Sequence, residues 1–129
     1  MKDSKIEEML SLQDYLNMQI APLWRDRNFP WYRAIWIECA ELIEHYGWKW
    51  WKNSNPDLGQ INLELIDIWH FGLSDTLQRN SVLDAKMALI LASDDGFRRT
   101  KEKNLPEAVE EFARATLESK SFKADDFFY

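Results

Sequence analysis

The chain has 129 residues, 46% of them apolar, with seven Trp and seven Phe, enough for one hydrophobic core and a single domain expected over 1–129. Its formal charge of −6 argues against a nucleic-acid partner, which needs clustered cations, and its lone cysteine, Cys39, excludes an internal disulfide. No apolar run nears the roughly 18 to 20 residues that span a bilayer, and none follows Met1 as a signal peptide would require, so no membrane association and a cytoplasmic location are expected.

Only four Gly and four Pro punctuate the chain, and its stretches rich in Leu, Ala, Glu and Lys predict an all-α bundle of about five helices. The first is expected over residues 4–20, with Ile6, Met9, Leu10, Leu16 and Ile20 as an apolar stripe. Gln13 and Asn17 fall inside that stripe. Two amides on a buried face require hydrogen-bond partners, either backbone or water at a helix crossing or a ligand offering both donors and acceptors. A loop over 22–30 precedes a second helix at 31–46, which Gly47 should stop. Asn55-Pro56 disfavours helix in the next loop, and a third helix is expected over 60–80. Residues 82–92 are strongly apolar and read as a fourth, central helix, followed by a charged loop over 93–104. Asn104 as cap and Pro106 in the first turn mark a fifth, whose face is Val109, Phe112, Ala113, Thr116 and Leu117. The aromatic end, residues 122–129, either docks on the core or a partner, or marks a chain once longer.

Four carboxylates stand among apolar neighbours: Glu38 and Glu41 in Trp36-Ile-Glu-Cys-Ala-Glu-Leu-Ile43, and Glu64 and Asp67 in Leu63-Glu-Leu-Ile-Asp-Ile-Trp69. Each pair is spaced i,i+3 and so projects from one helix face. One such pair is ordinary on a solvated helix. A second, returning antiparallel after a loop, can meet the first across the 8 to 10 Å or so that separates packed helices. Buried unpaired carboxylates cost several kcal/mol, so four converging acids imply a cation, and an oxygen-only donor set implies Mg²⁺ or Mn²⁺. Ions held there would turn an acidic protein into a triphosphate binder and point to hydrolysis of a pyrophosphate or phosphate ester by water. Glu38 or Glu41, with the longer side-chain arm, is the expected proton acceptor. Cys39 reads as a small core residue, and Lys49 and Lys52 as solvated charges or phosphate contacts.

The motifs Leu12-Gln-Asp-Tyr-Leu-Asn17, Glu38-Cys-Ala-Glu-Leu-Ile43, Tyr46-Gly-Trp-Lys-Trp-Trp-Lys52 and Glu64-Leu-Ile-Asp-Ile-Trp-His-Phe71 resemble those of the dimeric dUTPases. That family belongs to the all-α nucleoside triphosphate pyrophosphatases, with the MazG-like proteins. The resemblance implies Mg²⁺-dependent hydrolysis of dUTP and dUDP to dUMP by a homodimer. It also implies metal ligands at Glu38, Glu41, Glu64 and Asp67, and a uracil and deoxyribose pocket lined by Gln13, Asn17, Trp50 and His70. The chemistry is compatible, since side-chain amides match uracil's alternating C=O, N–H, C=O edge and an indole covers its face. His70, one turn beyond Asp67, would face the same site. Amides also permit cytosine, which leaves a house-cleaning pyrophosphatase for dCTP or another nucleotide as an alternative. Nothing after Asn104 resembles the family's second portion, with its Lys-Asn and Arg-containing motif and Gly-Tyr segment. A shortened relative is therefore expected, and a non-catalytic nucleotide- or protein-binding module is the other alternative.

Overall fold

Helix α1 (Lys2–Ile20) leads through a 3-10 turn (Trp24–Asp26) to α2 (Trp31–Tyr46). Then follow α3 (Leu58–Arg79), α4 (Val82–Arg98), α5 (Leu105–Ser119) and the short α6 (Ala124–Phe127), in a computed structural model that describes residues 2–53, 55–98 and 104–127. Among the described residues there is no strand, and no helix is long and apolar enough to cross a membrane.

Local chemistry sets the helix ends. Gly47 takes the left-handed conformation (φ 82°) that a residue with a Cβ resists, and closes α2. Asp57 caps α3 by accepting from Gln60 N, and Asn104 caps α5 by accepting from Glu107 N at 2.9 Å. The start of α2 has no side-chain cap at Pro30. Gln78 of α3 anchors the approach to the helix instead: its Oε1 accepts from Phe29 N and Trp31 Nε1, and its Nε2 donates to Phe29 O. This bond set ties the beginning of α2 to the end of α3 and helps to hold the two in register.

The central helix is α3. It packs along α2 and against α1, and buries Ile61, Ile68, Leu73 and Leu77. Gly72 lies where α3 meets the C-terminal segment, and a Cβ there would sit 2.7 Å from the Phe122 ring. Phe122 and Phe127 pack with Phe112 and Trp69, the Trp69 and Phe127 rings stacking at 5.7 Å. The aromatic end therefore docks on the core, while residues 128–129 lie outside the described residues.

The structure departs from several expectations. Helix α4 is peripheral, not central: it packs on α1 and on the C-terminal α6, which buries Ala85 and Leu89 but leaves Leu83, Met87 and Leu91 exposed. It also continues as helix to Arg98, through much of the expected charged loop, whose residues 99–103 lie outside the described ones. On α1 the buried stripe runs Ile6, Leu10, Gln13, Asn17, leaving Leu16 and Ile20 in solvent. Leu117 of α5 is likewise exposed. On α2 and α3, the apolar neighbours of the acidic pairs are partly open: Trp36, Ile37, Leu63 and Ile66 each keep about half of their surface exposed.

Candidate metal centre and the polar ring beside it

Antiparallel packing of α2 on α3 brings the acidic pairs together. Carboxylate oxygens of Glu38, Glu41 and Glu64 lie within 4.8 Å of one another. Asp67 is outside this trio and exposed, but its charge still acts on Glu38. Burial is graded across the cluster: Glu64 is 5% exposed, Glu38 is half-buried, and Glu41 opens to solvent. The cluster thus forms a rim site and not a buried one, although apolar residues flank the acids in the sequence. Its flanks stay open as well, with Trp36, Ile37, Leu63 and Ile66 each about half exposed.

Within the cluster, Glu38 Oε2 is buried and has no hydrogen-bond partner. Burial, then the charges of Glu41, Asp67 and Glu64, push its carboxyl up to about 7. An orphaned carboxylate oxygen facing other carboxylates is unfavourable alone and well matched to a hard cation. The donor set, oxygen throughout, fits Mg²⁺ or Mn²⁺.

His45 joins this site and was missed in the sequence. Its Nδ1 lies 2.9 Å from Glu64 Oε2, and since a carboxylate only accepts, the imidazole donates. The signal was available: His45 follows Glu38 by seven residues and Glu41 by four, on the same face of α2. What hid it was the register of α3, which decides that Glu64 faces it.

One turn beyond Asp67 the amides meet a second group. His70 Nδ1 is 2.6 Å from Gln13 Oε1, Gln13 Nε2 donates to Asn17 Oδ1 at 3.0 Å, and Asn17 Nδ2 donates to Ser74 Oγ at 2.9 Å. Ser74 Oγ in turn donates to the His70 carbonyl at 3.0 Å. Gln13 and Asn17 thus find their partners in each other and in α3, and Ser74, absent from the sequence reading, completes the set. Trp50 is 86% exposed, and its ring packs edge-on against Trp51, 5.3 Å away, rather than on the amides.

Other groups have structural roles. Burial, with the Glu38 charge second, pushes the Cys39 thiol up to about 12, so it is no thiolate at neutral pH. Lys49 pairs with Glu44, which also accepts from Trp48 Nε1. A cavity of about 180 Å³ between α2, α3 and α5, lined by Leu42, Leu65, Ile68, Val109 and Phe112, offers almost nothing polar to read a base edge.

Comparison with known proteins places these observations. A family model described as dUTPase matches residues 5–126, nearly the whole chain. A search of curated proteins finds no match.

Proposed function

The chain belongs to the all-α dUTPase family, and from that premise we propose that it converts dUTP, and also dUDP, to dUMP using Mg²⁺ held by Glu38, Glu41, Glu64 and Asp67. Membership makes it a dUTP diphosphatase, a hydrolase of nucleotide metabolism. The observation that carries the metal assignment is the partnerless Glu38 Oε2 beside two further carboxylates. When bound, the ion supplies positive charge to phosphate oxygens and acidifies water. Mn²⁺ suits the same oxygens.

The remaining chemistry falls to side chains of the chain itself. Glu38 or Glu41, through the carboxylate oxygen that an ion leaves unused, would take the proton of the attacking water. His45 fixes the rotamer of Glu64 through its N–H, leaving the other carboxylate oxygen directed at the cluster. Gln13, Asn17 and His70 receive base and sugar, and Trp50, free in solvent, covers the base face. Water would be the nucleophile, and the buried Cys39 thiol, which stays protonated, is no rival to it.

A homodimer belongs to the same proposal. Trp36, Ile37, Leu63 and Ile66 are apolar positions that one chain leaves uncovered, and a second copy would cover surface of this kind. Competition kinetics with dUTP, dCTP and dTTP in Mg²⁺ test the substrate. We expect dUTP to lead in kcat/KM by on the order of 100-fold. Equal use of the three would remove the uracil assignment.

A further inference from the structure

The polar side chains beside the metal centre form a closed ring of hydrogen bonds that begins and ends on one residue, from the His70 imidazole through Gln13, Asn17 and Ser74 to the His70 carbonyl. A carbonyl cannot donate. The single Ser74 hydroxyl proton is therefore committed to His70, and Ser74 Oγ can meet Asn17 only as an acceptor. That turns the Asn17 amide so that Oδ1 faces Gln13, which turns Gln13 so that Oε1 faces His70. Nδ1 of His70 must then be the donor, and in the neutral imidazole Nε2 carries the lone pair.

The reversed ring is the competing arrangement. There Ser74 would leave the carbonyl and donate to Asn17, both amides would flip, and Nδ1 would become an acceptor. It contains one bond fewer. With Ser74 1% and Gln13 and Asn17 each 9% exposed, that bond gives the observed direction a bias on the order of tenfold. The two directions present different edges to a ligand. Reversed, the spare hydrogens of Gln13 and Asn17 and an Nε2–H make three donors. In the observed direction the same two donors stand beside one imidazole acceptor.

We infer that Ser74 is a positioning residue: by setting the ring's direction it holds His70 as the Nδ1–H tautomer, whose Nε2 receives a hydrogen-bond donor of the nucleotide. The inference rests on the reading that Gln13, Asn17 and His70 line the nucleotide site. In dUTP the donor is either N3–H of uracil or the 3′-hydroxyl of the sugar, and both offer the same chemistry to Nε2.

¹⁵N-resolved NMR of the imidazole, recorded without nucleotide, reads the tautomer directly. The wild-type protein should show a protonated Nδ1 and a bare Nε2 at His70. Ser74→Ala should mix the tautomers, and Ser74→Thr, which keeps a hydroxyl able to bond the carbonyl four residues back, should restore the first. KM for dUTP should rise about twofold in Ser74→Ala, as the competent tautomer falls from roughly nine-tenths to about half, with a smaller change in kcat, and return in Ser74→Thr. A bare Nδ1 in the wild type overturns the ring direction even if dUTP is hydrolysed well. A tautomer shift in Ser74→Ala with unchanged KM overturns instead the placement of His70 at the nucleotide. N3-methyl-dUTP and the 2′,3′-dideoxy analogue separate the two donors: the analogue lacking the donor that Nε2 receives should bind equally to wild type and Ser74→Ala. If neither analogue narrows the gap, the assigned acceptor is wrong.

Discussion

Burial and the neighbouring charges of Glu41, Asp67 and Glu64 raise the Glu38 carboxyl from an ordinary 4.5 to about 7. The folded chain therefore holds a proton that the unfolded chain has lost between those two values. Stability from this group is complete below about 4.5 and is lost as pH rises through about 7. Thermal melts in chelator should show Tm falling across that window, and Glu38→Gln should flatten the fall. Mg²⁺ should raise Tm most above the window, where the carboxylates are charged. A wild-type slope matched by Glu38→Gln would detach the effect from this residue. At this scale the paired acids were legible because an i,i+3 spacing fixes a helix face whatever packs on it. His45 and Ser74 were not, since each matters through a partner on another helix or through a hydrogen-bond direction that local spacing does not encode.

Between elements, the contact most sensitive to a single methyl is α3 against the C-terminal segment. Asp75, almost fully buried, accepts from Phe122 N at 2.9 Å and from Arg79 Nε at 3.2 Å, which holds Phe122 over Gly72. Gly72→Ala pushes a methyl into that ring, and the surrounding Phe112, Trp69 and Phe127 leave it little room. We expect a loss of about 1 to 3 kcal/mol in urea unfolding. Unchanged stability would mean that the aromatic segment does not pack on α3 as described. Two capped helix ends were legible, since Gly47 and Asn104 stand where expected; the Asp57 cap, which starts α3 at Leu58 and not at residue 60, was not, and the approach to α2 is tied down by Gln78 from another helix. The length of α4 was obscured because charged residues following its apolar run read as loop. Its peripheral position was obscured because apolar content does not say which neighbour, if any, covers each face.

At the scale of the whole molecule, the excess of exposed apolar surface is the feature that one chain leaves unexplained. Leu83, Met87 and Leu91 form a stripe at four-residue spacing along α4, and Trp36, Ile37, Leu63 and Ile66 add more on α2 and α3. Sedimentation of the wild-type protein should give a dimer, and Ile37→Glu with Ile66→Glu, on the face proposed for the contact, should weaken it. A wild-type monomer at micromolar concentration would remove the dimer from the proposal. The all-α class and the meeting of the acidic helices were legible in the sequence, since both follow from periodicity and loop length. The openness of the acidic cluster was not, because it depends on how the other helices pack around α2 and α3. The central claim is that this rim of carboxylates makes the chain a metal-dependent dUTP hydrolase. Its most direct measurement is ³¹P NMR of dUTP turnover with and without Mg²⁺, in wild type and Glu64→Gln. We expect dUMP and pyrophosphate only with Mg²⁺, and a rate loss on the order of 100-fold or more in a Glu64→Gln protein that still folds. Turnover that ignores Mg²⁺, or that survives Glu64→Gln undiminished, would contradict it.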